Sequence, residues 1–113
     1  SPIDAEYAEN ADPSSDGSPF KSKDYFSLFM ETVPEDVQKL YTEAEQSDLS
    51  PLSLTAHRLK GVFAMLNIPT GKTLCEQLEH AIKESDVTNI KILISQIDTF
   101  VSRLLLLGSQ QHE

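Results

Sequence analysis

A chain of 113 residues with 39% hydrophobic side chains can bury one core and no more than one domain. Its formal charge is −9, from 18 acids against 9 bases, which argues against nucleic acid and anionic membrane as main partners, since both reward a basic surface. A single cysteine, Cys75, excludes an intrachain disulfide and fits a reducing compartment.

Residues 1–20 carry five acids and no base, with Ile3, Tyr7 and Phe20 as the large apolar groups. That is too little apolar surface to offset chain entropy, so 1–23 is expected to be an acidic flexible linker. The chain opens on Ser-Pro, as expected of a piece of a longer protein. Nothing resembles a signal peptide, and the four leucines 104–107 are far too few to span a bilayer.

From Asp24 the pattern becomes helical. Asp24 is a candidate N-cap for a short helix over 25–31, with Phe26, Phe29 and Met30 apolar. Thr32-Val33-Pro34-Glu35 offers a capping box with proline early in the next helix. Val37, Leu40, Tyr41 and Ala44 then carry helical spacing to about residue 46. Ser50-Pro51 starts another helix, which Asn67-Ile68-Pro69 ends. Gly71, Leu74, Cys75, Leu78, Ala81 and Ile82 share one face of the following helix, and that stripe makes Cys75 a small core residue. Ser85 or Asp86 caps the last helix, striped by Ile90, Leu93, Ile94, Ile97, Val101 and Leu104, and Gly108 is placed to stop it. The expected architecture is all-α: an antiparallel up-down-up-down four-helix bundle over 24–108 with a short N-terminal cover helix. A disordered tail is expected over 109–113.

The informative stretch is Ala56-His57-Arg58-Leu59-Lys60-Gly61. With about 100° between successive helical residues, Leu52, Thr55, Ala56, Val62, Phe63 and Leu66 cluster around Leu59 as one apolar stripe. His57 falls on the opposite side, with Lys60, Gly61 and Ala64 as its neighbours at i+3, i+4 and i+7. Leu54 and Met65 lie on or near the same outward face and, with Ala64, make a modest apolar docking patch. Gly61 costs a helix interior about 1 kcal/mol relative to alanine, a cost tolerated where something must approach closely. No acid occurs between Asp48 and Glu76, while Arg58, Lys60 and Lys72 do, so a local cationic patch is expected around His57. A solvated imidazole is largely neutral at physiological pH and offers a free ring nitrogen as nucleophile. Phosphoryl transfer asks a protein mainly for position and charge stabilisation, and Lys60 can pair with phosphoryl oxygens.

On the residues His57-Arg58-Leu59-Lys60-Gly61, with apolar Leu66 following, the chain resembles the histidine-containing phosphotransfer (HPt) domains of bacterial and fungal phosphorelays. The likeness spans about 24–108. It implies that His57 accepts a phosphoryl group from an aspartyl phosphate on the receiver domain of a hybrid sensor kinase and passes it to the receiver of a response regulator. It implies a phosphotransferase only in the sense of a phosphohistidine intermediate, without autokinase activity. No cofactor of its own and no resident metal are expected; Mg²⁺ would sit on the partner receiver. The resemblance places the domain in the cytoplasm, as the C-terminal part of a larger inner-membrane protein, without direct membrane contact. Lys60 and Gly61 join His57 in the catalytic set, and Leu54, Arg58, Ala64, Met65, Glu79 and Lys83 form the docking set. Family members often carry a glutamine 22 positions past the histidine to orient the ring, with a basic residue one turn later; here those positions hold Glu79 and Lys83. A carboxylate there can accept a hydrogen bond from the imidazole but repels a phosphoryl group. Asn67 replaces a common glycine, and asparagine tolerates the same left-handed turn.

A second reading is a non-catalytic module that docks a receiver through Leu54, Ala64 and Met65; under it, binding survives loss of His57. A third is an unrelated bundle with an incidental surface histidine. Weaker signals point nowhere firm. Gly71-Lys72-Thr73 resembles the end of a P-loop without its first glycine or a preceding strand. His57 and His80 are not at metal-ligand spacing and His112 is expected in a frayed end, and Glu76 with Glu79 reads as a solvated face.

Overall fold

The computed structural model describes residues 23–112, so the expected linker lies outside the described residues except for Lys23, which opens the first helix. Four helices follow in order: α1 (Lys23–Glu43), α2 (Ser50–Met65), α3 (Pro69–Lys83) and α4 (Val87–His112). Connections of six, three and three residues, 44–49, 66–68 and 84–86, turn each helix back on the one before it. Each helix packs on its two neighbours, α1 closing the ring against α4. The all-α four-helix bundle expected from the sequence is the architecture found.

Two boundaries differ from expectation. The short helix over 25–31 and the helix expected after it are one continuous α1, with Pro34 inside. Phe29, Val33, Val37 and Leu40 form a single buried stripe through the proline, and burying that stripe outweighs the lost backbone bond. Thr32 does not cap; its Oγ1 donates to the Leu28 carbonyl at 3.0 Å. At its C-terminus α1 tapers, with Glu45 N–H reaching Thr42 O and Gln46 N–H reaching Glu43 O. The stop expected at Gly108 does not occur either: Gly108 is buried, and α4 runs on to His112 through the expected tail.

The core gathers Phe29, Phe63 and Phe100 from α1, α2 and α4, all fully buried. Phe63 lies between the other two, with ring centroids 6.4 and 6.0 Å away. Leu52, Thr55, Ala56, Leu59 and Phe63 are the buried residues of α2, so the stripe centred on Leu59 is where the sequence places it. Cys75 is fully buried, and burial pushes its thiol up to about 12, which leaves it unreactive near neutral pH. The Tyr41 hydroxyl donates to Asp98 Oδ2 at 2.7 Å, tying α1 to α4, and this bond first, then burial, pushes the phenol up to about 12.

The ends of α2 and α3 share one device. Ile68 N–H bonds Phe63 O and Asn67 N–H bonds Ala64 O, while Asp86 N–H bonds Ala81 O and Ser85 N–H bonds Ile82 O. Both are Schellman closures, with Asn67 (φ 59°) and Ser85 (φ 53°) in the left-handed region. Asn67 thus makes the turn expected of it. Ser85 ends α3, and Asp86 is the cap of α4, its Oδ1 accepting from Asn89 N–H at 3.1 Å. Serine is poorly suited to positive φ, so Ser85→Gly is expected to stabilise the domain by about 0.5–1 kcal/mol. The check is a higher urea midpoint with an unchanged slope.

Candidate functional site

The site is built on the outward face of α2 and on one residue of α3. Burial of the Leu59 stripe turns His57 outward, and its side chain is 69% exposed. Gly61 and Ala64 are exposed along the same face, with Leu54 at 68% and Met65 at 59% exposure beside them. A Cβ built on Gly61 meets nothing within 4 Å, so the space over this turn is open to solvent. The structure therefore brings together His57, Gly61, Leu54, Ala64 and Met65 on one accessible face.

Glu79 reaches this face from α3. Its Oε2 lies 3.3 Å from His57 Nδ1, and its Oε1 lies 2.9 Å from Lys60 Nζ. One carboxylate thus bridges the imidazole and the ammonium. An ionised carboxylate only accepts hydrogen bonds, so Nδ1 carries the ring proton and Nε2 keeps its lone pair; the tautomer is assigned from this partner. The bond to Glu79 also holds the Lys60 ammonium above the usual lysine range.

The cationic patch expected from the run of residues 49–75 does not survive folding as a free patch. Lys60 is paired with Glu79, and Arg58 is held by Asp36 of α1. Arg58 Nε donates to Asp36 Oδ2 at 3.1 Å and Nη2 donates to Oδ1 at 2.8 Å, a two-pronged pair with the carboxylate almost fully buried. That pairing raises the Arg58 guanidinium above its ordinary value. Arg58 is therefore engaged in joining α1 to α2. Asp36 went unnoticed in the sequence, although a signal was there: an acid at i+3 from Val33 and i−4 from Leu40 sits inside the apolar stripe and needs a partner. Lys83 lines a shallow depression with Ser53, Lys60, Glu76, Glu79 and His80. It has no ion-pair partner among the described residues.

The lesser signals resolve simply. Gly71 packs against the ring of Phe63 in the first turn of α3, so Gly71-Lys72-Thr73 is not a phosphate-binding loop. His80 lies 3.9 Å from Glu84 across one helical turn. Among the described residues no three of the side chains that bind metals are grouped, and no helix is long and apolar enough to cross a membrane.

Comparison with known proteins bears on the family and the fold. Residues 24–105 match the family model of the Hpt domain. Over 81 residues the chain is 60% identical to the phosphotransferase RcsD of Escherichia coli, a stretch covering 72% of this chain and 9% of that protein. The chain thus corresponds to a small part of RcsD. The solution structure of the Escherichia coli YojN histidine-phosphotransferase (HPt) domain superposes with a TM-score of 0.70 at 60% identity, covering 72% of this chain and 70% of that one. With its exposed His57 on the second helix of a four-helix bundle, the chain belongs to the Hpt family of histidine-phosphotransfer domains.

Proposed function

We propose that His57 is the phosphoacceptor of a multistep phosphorelay, taking a phosphoryl group from a receiver aspartate and yielding it to another. The observation that carries this reading is the ring itself: His57 is exposed, and Glu79 occupies Nδ1 at 3.3 Å. In the transfer, the Nε2 lone pair forms the N–P bond as the P–O bond to the aspartyl carboxylate breaks, and that carboxylate leaves with the electron pair. Nδ1 keeps its proton, and the positive charge gained by the ring faces Glu79. Lys60, one turn along α2, offers its ammonium to the phosphoryl oxygens. Return of the phosphoryl group to a second receiver runs through the same steps in reverse.

The open turn at Gly61 admits the receiver, and Leu54, Ala64 and Met65 supply apolar docking surface around the nucleophile. Arg58, Glu79 and Lys83 flank that surface. The receiver would bring the Mg²⁺ that neutralises the transferring group; this chain's part is to present and orient the imidazole. By its likeness to RcsD, the donor would be an RcsC-like hybrid kinase and the acceptor an RcsB-like response regulator. The domain would then be a cytoplasmic portion of a larger inner-membrane protein, acting as a phosphotransferase without kinase activity of its own.

The test is incubation with an aspartyl-phosphorylated receiver and Mg²⁺, scoring label that is acid-labile and alkali-stable. Wild type is expected to take up label and His57→Gln none. Uptake by His57→Gln equal to wild type would sink the reading. Binding that persists in His57→Gln with no label on wild type would favour a docking module instead.

A further inference from the structure

Glu79 bonds no reacting atom in the transfer proposed above, yet the two polar groups of α2 that do both end on its carboxylate. We propose that Glu79 is a positioning residue whose carboxylate keeps Nδ1 of phosphorylated His57 protonated, so that the phosphoryl group stays transferable into alkaline pH. The inference rests on His57 being the phosphoacceptor and adds a pH range to that role.

The chemistry follows from where the electrons go. Cleavage of the N–P bond returns its electron pair to Nε2 as the phosphoryl group passes to an oxygen, either a receiver carboxylate or a water that gives its proton to solvent. If Nδ1 carries a proton, the ring leaves as neutral imidazole. If Nδ1 is bare, the ring must leave as imidazolate, a far poorer leaving group. A phosphohistidine therefore loses its reactivity as its remaining ring proton is lost. An ionised carboxylate can accept from Nδ1–H but has no hydrogen to donate to a bare nitrogen. An amide in the same place can serve either form, by turning its oxygen or its NH₂ toward the ring. Glu79 thus favours the reactive form in a way that glutamine cannot.

The surrounding charges act in the same direction or stand aside. On α2, Lys60 would repel a charged ring, but Glu79 Oε1 holds it at 2.9 Å; removing the carboxylate would free that ammonium and disfavour the ring proton further. Arg58 is engaged by Asp36 from α1, with Glu35 and Glu43 acting on the same guanidinium. On α3, Glu76 adds negative charge near Lys60. His80 and Lys83 line the neighbouring depression, and His80 faces Glu84. Helix α4 meets α2 on the core side, where the buried Phe63 and Phe100 rings touch, away from the exposed ring of His57. Among the described residues, Glu79 is the charged group paired with the ring.

The experiment phosphorylates His57 of the whole chain with phosphoramidate, in wild type, Glu79→Gln and Glu79→Asp. Spontaneous loss of label is then followed from about pH 4 to about pH 10, a range that brackets ring titration; no receiver is present to add titrating groups of its own. The rate is expected to fall with rising pH in every case. In Glu79→Gln the fall should come at lower pH, the direction expected on losing an opposite charge in contact with the ring. Glu79→Asp, which keeps the charge, should stay nearer wild type. Superimposable profiles for wild type and Glu79→Gln would overturn the proposal. Should Glu79→Gln fail to fold, the nitrogen chemical shifts of phosphorylated wild-type His57 decide: Nδ1 should keep its proton to higher pH than in free phosphohistidine, and an equal midpoint overturns the idea. A His57 that takes label but shows an unchanged profile defeats this inference alone. A His57 that takes label from neither phosphoramidate nor a receiver defeats the phosphoacceptor reading beneath it.

Discussion

Gly61→Arg is expected to lower phosphoryl transfer from a receiver by about 100-fold or more, the scale of loss when reacting atoms are displaced by about an ångström. Helix content and core packing should not change. Gly61 is exposed, and a Cβ there meets nothing within 4 Å, so the side chain enters solvent and finds no core to disturb. A glycine in a helix interior is about 1 kcal/mol worse than alanine, and arginine ranks close to alanine, so the variant should be at least as stable as wild type. What it loses is clearance, since residue 61 lies one turn from His57 on the same face and a long cationic side chain there stands where the receiver must come. Phosphoramidate, being small, should still label His57 in this variant. Circular dichroism, the two labelling rates and receiver binding check the prediction together. Wild-type transfer from the receiver would show that this face is not the one approached.

Gly71→Ala should do the opposite, destabilising the fold while leaving the chemistry of any folded fraction unchanged. A Cβ on Gly71 would lie 2.6 Å from two atoms of the Phe63 ring. Phe63 cannot swing aside, because it is fully buried between Phe29 and Phe100. Overpacking of this kind costs about 1–3 kcal/mol, against which alanine returns only part through its helix propensity. A net loss of about 2 kcal/mol is expected, which for a domain of this size lowers the melting temperature by roughly 10 °C. Phe63→Leu in the same chain should relieve part of the clash, so the double variant should be less destabilised than the two single losses added, by about 1 kcal/mol. A Gly71→Ala domain that melts with wild type would show that α2 and α3 can part far enough to admit a methyl group against Phe63.

These two glycines show how far a sequence can be read. Gly61 announces itself, because a glycine next to an outward histidine in a regular helix has a cost and so asks for a reason. Gly71 looks like another member of an apolar face, and its need for no side chain arises only when Phe63, eight residues earlier on a different helix, arrives against it. Helix α1 makes the same point. Thr32-Val33-Pro34-Glu35 reads locally as a stop and a start, but the stripe of Phe29, Val33, Val37 and Leu40 runs unbroken through it into the core. Local signals of about 1–3 kcal/mol yield to the burial of four large side chains. Gly108 fails as a stop for a related reason, being buried as α4 continues.

The sequence by itself determined the helical class, the order of the main helices, the buried stripe of α2 and, through that stripe, the exposure of His57. All of these follow from spacing within one helix, where the distance between residues is set by their separation along the chain. The electrostatics of the site were decided only by the tertiary structure. Arg58 and Lys60 stand in a segment without acids, yet each is paired with a carboxylate 22 or 19 positions away, Asp36 on α1 and Glu79 on α3. Charge acts through space, at about 3 Å and not along the chain, so no count of neighbours in sequence could have shown that the cationic stretch is cancelled on folding. Nor could it have shown that a single carboxylate from α3 joins Lys60 to the imidazole of His57.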